Sequence, residues 1–114
     1  MLNRKYRATR IDIESAIKTG ISISGMVLYA KISKQDRKSA GFAIVVSKKV
    51  EKTSVGRHAI KRKISAYLES QLTKMNPEFK KTLVFFVKDA KSPNFYTQAY
   101  KDLVDILKKA DFFA

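Results

Sequence analysis

The sequence has no cysteine, only four glycines and no long apolar run. The lack of cysteine excludes disulfides, cysteine-ligated zinc and thiol catalysis, and the scarcity of glycine excludes a glycine-rich phosphate loop. The longest apolar runs, at 42–46 and 83–87, are far shorter than the ~20 residues of a membrane-spanning helix. The amino-terminal segment also lacks the apolar core of a secretion signal. We therefore expect a soluble, cytoplasmic protein with no membrane partner.

Groups able to perform acid–base or metal chemistry are equally scarce. The chain has ten Asp and Glu residues and a single histidine, His58. The acids are scattered, so no close cluster is expected to hold two metal ions. His58 lies in a run of cations, with no evident carboxylate to orient it as a general base. We expect no catalytic residue and no metal site in the protein, which would hold reactants while another molecule performs the chemistry.

Positive charge, in contrast, is abundant and unevenly distributed. The formal net charge is +14, and residues 1–63 carry 16 basic and 4 acidic residues, whereas residues 64–114 carry 8 basic and 6 acidic residues. All six arginines lie in the first part. Because self-repulsion on this scale is unfavourable, the natural partner is a concentrated polyanion. The planar guanidinium group matches phosphate oxygens, which favours nucleic acid over a generic acidic surface.

The length of 114 residues and the hydrophobic fraction of 45% predict a single domain, 1–114, with one modest core. Residues 1–8 are expected to form a basic, loosely held arm, and residues 34–38 a polar turn. Periodicity and turn residues predict helices at 10–18, at 55–72 and after 92–94, and strands at 21–33, 41–47 and 82–88. The order α-β-β-α-β-α, with room for a further break in the first strand, predicts a two-layer α+β sandwich with helices packed on one sheet.

Single residues indicate where these elements begin and end. Thr9 is expected to cap the first helix and Gly20 to end it. Gly25 interrupts the alternation of the first strand and predicts a bulge. The strand at 41–47 is apolar on both faces, which predicts a central, covered position. Ser54 is the expected cap of the second helix.

The apolar positions of the helices predict their inner faces. The stripe of helix 55–72 consists of Ile60, Ile64, Tyr67, Leu68 and Leu72. The inner side of the last helix consists of Tyr96, Tyr100, Leu103, Ile106, Leu107 and Ala110. Asp102 and Asp105 are expected to face outward among lysines. Phe85, Phe86 and Phe95 are also assigned to the core.

The segment SKKVEKTSVGRHAIKRKI, at 47–64, holds seven lysines and arginines. Most of its helical cations lie away from the apolar stripe, near the helix start, where backbone N–H groups and the helix dipole favour phosphate. A solvated helix face is the plainer interpretation. Such faces usually mix both signs of charge, however, and residues 52–68 contain no acid. Phosphate contact is therefore the favoured interpretation.

Three apolar or aromatic residues admit two interpretations. Ile13 and Ile17, on the first helix, are core residues by default, and the alternative is an apolar floor of an RNA-binding cleft. Tyr29 is suited to stacking on a base, although a half-buried strand aromatic is the commoner case. Periodicity does not separate these alternatives.

Several segments occur together in a recognisable order. They are the short helix DIESAIKTG (12–20), the strand core VLY (27–29), the strand end VVSKKV (45–50), the basic helix start RHAIKRKIS (57–65), and TLVFFVKDA, SPNFYTQAY and KKADFF further on. In this order and spacing the chain resembles the protein subunit of bacterial ribonuclease P, whose signature helix usually reads Arg-Asn-Arg-x-Lys-Arg. VSKK followed eight to ten residues later by such a helix is the most specific feature.

The resemblance implies a fold and a function. The family fold is an α+β sandwich with a left-handed β-α-β crossover, where general rules predict a right-handed one. The family protein partners a catalytic RNA that removes the 5′ leader from precursor tRNA by magnesium-dependent phosphodiester hydrolysis. The resemblance therefore implies a catalytic RNA subunit and precursor tRNA as partners, with no obligate protein partner. Magnesium is expected to serve the RNA, with none bound tightly by the protein.

The resemblance also implies which residues contact the catalytic RNA and the leader. Contacts with the catalytic RNA are expected from Lys48, Lys49, Lys52, Arg57, His58, Lys61, Arg62 and Lys63. The leader cleft is expected to be lined by Ile13, Ile17 and Tyr29. Additional phosphate contacts near this cleft are expected from Arg4, Lys5 and Arg7 of the arm. Three rival functions are weighed at this level: a ribosomal or other structured-RNA-binding protein with the same sandwich, a self-sufficient nuclease, and a merely structural basic domain. The uneven distribution of charge argues against the third.

Overall fold

The structure is a computed structural model that describes residues 4–34 and 39–114. Within these ranges the chain forms three helices, α1 (Arg10–Thr19), α2 (Ser54–Gln71) and α3 (Phe95–Lys109), and four strands, β1 (Ile21–Ser24), β2 (Leu28–Ile32), β3 (Gly41–Val45) and β4 (Thr82–Val87). Short 3₁₀ helices are formed by Arg4–Tyr6 and Leu72–Lys74. The predicted α+β class is confirmed. Apart from Lys34, the polar turn expected at 34–38 lies outside the described residues.

The four strands form one sheet in the order β1-β2-β4-β3. β2 pairs antiparallel with β1 and β4, whereas β3 and β4 are parallel and are joined through α2. The expected β-α-β unit is therefore present, and its left-handed course stays an expectation from the family resemblance. The expectation that β3 is central is wrong, because β4 inserts between β2 and β3. The apolar residues of β3 are covered instead by α2 and by the amino-terminal segment.

α2 and α3 cover one face of the sheet and form the main core with it. The predicted stripe of α2 is confirmed, since Ile60, Ile64 and Leu68 are buried and Tyr67 and Leu72 pack partly buried against them. The largest fully buried apolar side chains come from all layers of this core and from the chain end: Phe42, Phe85, Phe112, Leu28, Ile64, Leu68, Leu83, Leu103, Ile106 and Leu107.

The sandwich was expected to have two layers, but α1 packs on the second face of the sheet and adds a partial third layer. Ala16 of α1 and Val84 of β4 are completely buried but lie outside the main core, and α1 contacts β4 and β2. Because side chains alternate along β4, Val84 and Phe86 point to the face opposite to the one on which Phe85 is buried. Phe86, expected in the core, is half-buried on this second face. One short helix therefore shields only part of the second face.

The start of the second helix differs from the sequence prediction. Thr53, and not Ser54, is the cap of α2, because the Thr53 hydroxyl accepts a hydrogen bond from the Gly56 N–H at 3.0 Å. For α1 the predicted Thr9 cap is confirmed, with Asp12 completing a reciprocal capping box. Gly20 ends α1 as predicted, but its φ of −74° is not left-handed. A Cβ atom there would lie 2.2 Å from the Ala16 carbonyl oxygen, so close approach explains the glycine.

The long first strand is in fact a hairpin. The Gly25 N–H donates to the Leu28 carbonyl oxygen at 2.7 Å and closes a tight connection between β1 and β2. The predicted bulge at Gly25 is therefore wrong. A Cβ atom on Gly25 would lie 2.6 Å from the Asp102 carboxyl carbon, so this glycine allows the hairpin to approach α3.

Asp102 is the buried partner of that hairpin, which corrects the expectation that it faces outward; Asp105 is exposed as predicted. The Asp102 carboxylate accepts hydrogen bonds from the N–H groups of Val27 at 2.7 Å and Leu28 at 3.0 Å, and from the Gln98 amide at 2.9 Å. Burial by itself would raise the pKa of Asp102. The hydrogen bonds outweigh this effect and hold the pKa below its ordinary value.

Two tyrosines on α3 also depart from the prediction. Leu103, Ile106 and Leu107 are buried as expected, but Tyr96 and Tyr100 are 38% and 41% exposed. The core positions near the helix start are taken by Phe95 and Ala99. The apolar side of α3 is therefore wider than the part of it that is buried against the core.

The described part of the arm is docked and not loose. The Ala8 N–H donates to the Phe42 carbonyl oxygen at 2.9 Å, and Arg7 forms an isolated parallel bridge with Phe42. The ring of Tyr6 packs 6.4 Å from that of Phe42. The arm therefore covers the outer edge of β3. The charge of the arm alone did not predict this contact. In the part of the chain that the structure describes, no helix combines the length and apolarity needed to cross a membrane.

Replacing Asp102 with Asn should lower the free energy of unfolding by roughly 2–3 kcal/mol, because two backbone N–H groups would lose a charged acceptor. Urea unfolding at pH 7 measures this loss. The exposed Asp105→Asn variant is the matched control and should change stability by less than about 0.5 kcal/mol.

The same pair of variants tests the pH dependence. Because the pKa of Asp102 is lower in the folded state, its ionised form stabilises the fold above the unfolded pKa of about 3.9, and this contribution is lost as the pH falls through the folded-state pKa. Asp102→Asn should therefore lose less stability than the wild type on acidification. An equal loss in both proteins would contradict the assignment.

Candidate nucleic-acid interface

The basic residues are brought together where β3 leads into α2. A turn at 48–50 follows the strand, and the N–H groups of Val50 and Glu51 both donate to the Ser47 carbonyl oxygen at 3.1 Å. Lys48, Lys49 and Lys52 are exposed on this turn and the loop after it. Three predicted RNA contacts therefore project from a hydrogen-bonded connection. We call residues 48–63 the basic junction.

Glu51 is the only acid in the basic junction, and it serves the helix cap. Its carboxylate accepts from the Thr53 hydroxyl at 3.0 Å and the Thr53 N–H at 3.2 Å, while the same hydroxyl accepts from Gly56. Gly56 leaves the space for this arrangement, because a Cβ atom there would lie 2.6 Å from the Glu51 side chain. The acid therefore orders the loop and the first turn of α2.

Arg57 ties the helix to the loop. Its Nη1 donates to the carbonyl oxygens of Glu51 at 3.1 Å and Lys52 at 2.8 Å, and the residue is half-buried. A guanidinium group suits this role because it donates several hydrogen bonds in a fixed plane. The RNA contact expected of Arg57 stays a prediction, while its visible contacts make it a holder of the loop that carries Lys52.

His58 and Arg62 lie together on the exposed side of α2. With Ser54, Val55 and Ala59 they line an open depression. Val55 is 80% exposed at its rim. This side presents cationic and apolar groups to solvent, which is the mixture that a nucleic-acid backbone and its sugars contact.

The other two cations of α2 lie on opposite flanks of the helix. Lys61 is half-buried and lines a cavity of about 210 Å³ with Arg7, Ser65 and a floor of β3 residues. Lys63 is exposed, and its Nζ lies 5.9 Å from the ring centroids of both Tyr67 and Tyr96. The eight predicted contacts therefore wrap around the start of α2.

The arm residues extend this surface past the edge of β3. Arg4 and Lys5 are exposed on the first 3₁₀ turn, and Lys5 Nζ lies 4.9 Å from the Tyr6 ring centroid. Arg7 shares its cavity with Lys61. The positive arm and the basic junction are therefore continuous, which the sequence alone did not predict.

The expected cleft residues lie on the second face of the sheet. Tyr29 is half-buried, and its ring stacks on Phe86 at 4.8 Å with an angle of 9° between the planes. Ile17 of α1 is 41% exposed and Ile13 is half-buried. Sequence reasoning missed Phe86 as part of this face. The alternation of β4 around the buried Phe85 is the signal that could have found it.

Across 4–34 and 39–114, no three His, Asp or Glu side chains approach one another closely enough to hold a metal ion. Magnesium prefers carboxylate and other oxygen ligands. The basic junction offers only Glu51, whose carboxylate accepts hydrogen bonds within the cap.

The fold and this surface define a small, basic α+β domain suited to a polyanion. The family model for ribonuclease P matches residues 2–111. The chain belongs to the ribonuclease P protein family, as the sequence resemblance predicted.

Individual relatives agree with this assignment. The chain is 33% identical over 89 residues to the ribonuclease P protein component of Lactobacillus johnsonii, covering 75% of this chain and 69% of the relative. It superimposes on the ribonuclease P protein from Staphylococcus aureus with a TM-score of 0.74 at 22% identity, covering 99% and 95% of the two chains. For the protein from Thermotoga maritima the TM-score is 0.74 at 18% identity, with 90% and 96% covered. At these identities the two structures establish the fold.

Replacing Arg57 with Ala should lower the free energy of unfolding by about 1.5–3 kcal/mol, because two hydrogen bonds from a charged donor are lost. The matched variant Arg62→Ala removes the same charge from the exposed side of α2 and should cost less than about 0.5 kcal/mol. Urea unfolding of both variants provides the comparison. Equal stabilities would show that Arg57 does not hold the loop.

Proposed function

We propose that this chain is the protein component of a ribonuclease P in which a catalytic RNA removes the 5′ leader of precursor tRNA. The protein binds the RNA subunit through the basic junction and the arm, and it holds the leader on the second face of the sheet. It supplies no catalytic group. The RNA carries out the phosphodiester hydrolysis.

The main support for this proposal is that hydrogen bonds within the protein already order the loop of the basic junction. Glu51, Thr53 and Arg57 hold the loop backbone through their own hydrogen bonds, and Lys48 and Lys49 extend from the turn just before it. Cations that are already ordered lose less conformational entropy when they meet phosphate.

The role of these cations is electrostatic. An RNA backbone that approaches the amino-terminal half of α2 meets Lys61 and Arg62, together with the positive end of the helix dipole. Neutralising phosphates in this way releases condensed counterions, which supplies much of the affinity. It also lets two anionic RNAs, the subunit and the leader, lie close to each other.

The second face of the sheet suits a single-stranded leader. Stacked Tyr29 and Phe86 offer an aromatic surface, and Lys31 lies in the adjacent sheet row beside Val84. Half-buried Ile13 and exposed Ile17 add apolar contact from α1. Base stacking on such a surface tolerates many sequences, because every base has a flat face. This property fits leaders of varied sequence.

Magnesium in this proposal belongs to the RNA. It supplies the charge stabilisation that phosphodiester hydrolysis requires, and the protein helps to offset the phosphate repulsion around it. His58 stands where the family signature has asparagine, and imidazole is a poor ligand for this ion. The proposed compartment is the cytoplasm, and the proposal requires no further protein partner.

The test is the salt dependence of binding between the purified chain and its catalytic RNA. Replacing Lys61 and Arg62 with Gln together should weaken the complex and reduce the slope of log K against log salt by up to about 0.9 for each lost phosphate contact. Arg57 is left intact so that the loop stays folded. The matched control is Lys108→Gln with Lys109→Gln, which removes the same charge at the end of α3.

The control variant should keep most of the wild-type slope. If both double variants lower affinity and slope equally, the charge acts without a defined site and the assignment of the basic junction is wrong. If neither variant changes them, the RNA binds elsewhere.

A further inference from the structure

A cluster of aromatic rings and one lysine spans α2 and α3 on the flank away from the arm. It consists of Lys63 and Tyr67 on α2 and Tyr96 and Tyr100 on α3, and we call it the tyrosine surface. Lys63 Nζ lies 5.9 Å from the centroids of Tyr67 and Tyr96, within the range of a cation–π interaction. The cluster is distinct from the second face of the sheet, where Tyr29 lies.

The rings are held in place although two of them are exposed. Tyr67 and Tyr100 meet edge to face at 5.3 Å, and the Gln71 amide donates to the Tyr100 hydroxyl at 3.2 Å. Tyr96 meets Phe95 edge to face at 5.1 Å. Contacts at their edges therefore fix rings that remain 38% and 41% exposed. A fixed, exposed ring loses little conformational freedom when a flat partner stacks on it.

The fold does not require these tyrosines for burial. Phe95, Ala99 and Leu103 already fill the contact between α3 and the rest of the core. Exposed aromatic rings beside a cation favour a ligand that is both flat and anionic. Unpaired nucleotides combine these two properties.

The position of Lys63 connects the tyrosine surface to the basic junction. Lys63 follows Arg62 directly, and no acid lies between residues 52 and 68. Lys63 lies about 100° around the helix from Arg62, so a strand whose phosphates contact Arg62 reaches Lys63 and the exposed rings by crossing α2. This continuity of charge favours RNA over a protein partner, because the core of a protein interface is poor in lysine.

We propose that the tyrosine surface binds an unpaired nucleotide of the catalytic RNA, with a base stacked on Tyr96 and its phosphate on Lys63. This inference rests on the proposed function and adds a second contact region on α3. The surface positions a segment of the RNA and takes no part in cleavage.

The test compares Tyr96→Leu, which removes the ring but keeps an apolar side chain, with Tyr96→Phe, which keeps the ring. Tyr96→Leu should weaken binding to the catalytic RNA by about fivefold to a hundredfold, the usual effect of losing one base stack. The salt slope should stay unchanged, because no phosphate contact is lost. Tyr96→Phe should restore the affinity.

Lys63→Gln should show the complementary pattern, with a salt slope reduced by up to about 0.9. Wild-type affinity in Tyr96→Leu would overturn the proposal whatever Lys63→Gln shows, because Lys63 also belongs to the basic junction. Absence of binding by the wild-type protein would overturn the proposed function itself, so the two failures are distinguishable.

A second measurement does not depend on the folding of any variant. Photocrosslinking of the wild-type complex, with 4-thiouridine in the catalytic RNA, should give adducts on α3 at Tyr96 or Tyr100. Adducts confined to the basic junction and the arm, with none on α3, would overturn the proposal.

Discussion

The two hydrogen bonds from Arg57 to the loop carbonyl oxygens fix the junction on which the functional surface depends. A loop rich in lysine would otherwise open through self-repulsion. Arg57 instead uses its positive charge to satisfy backbone acceptors, and Glu51 uses its negative charge to satisfy the Thr53 hydroxyl and N–H groups. The junction therefore holds its cations together through contacts that do not neutralise them.

The sheet provides the frame for this junction. β4 lies between β2 and β3, so the parallel β3–β4 pair anchors the strand that leads into the loop. The stripe of Ile60, Ile64 and Leu68 then fixes α2 over the main core. At the sheet edge opposite to β3, the buried carboxylate of Asp102 ties the β1–β2 hairpin to α3. The cations thus lie on the surface of a largely apolar core, in which the buried Asp102 carboxylate is hydrogen-bonded.

Much of this arrangement was predictable from the sequence. The α+β class, the stripe of α2, the Thr9 cap and the family all follow from periodicity, capping residues and motif order. Local patterns failed where distant segments decide the outcome. Asp102 among lysines looks like a surface residue, and only the approach of Gly25 from another element makes it a buried acceptor. The edge position of β3 depends likewise on where β4 inserts, which apolar content does not encode.

In the candidate site, too, local sequence patterns predict some features, while others depend on distant segments. The cations of α2 are visible in the sequence, and helix geometry alone places Lys61 and Lys63 about 200° apart. What each lysine contacts depends on the elements that pack beside the helix. Tyr96 and Tyr100 fit the apolar period of α3, and their exposure arises because Phe95 and Ala99 already fill the core. Periodicity identifies the side of a helix, whereas the extent of burial depends on the neighbouring elements.

The most direct measurement of the central claim is single-turnover cleavage of precursor tRNA at low magnesium by three preparations: the protein alone, the catalytic RNA alone, and the two combined. If the RNA is the catalyst and the protein its partner, the protein alone should give no cleavage, and the combination should remove the leader faster than the RNA alone. Cleavage by protein free of RNA, or no stimulation of the RNA by the protein, would contradict the central claim.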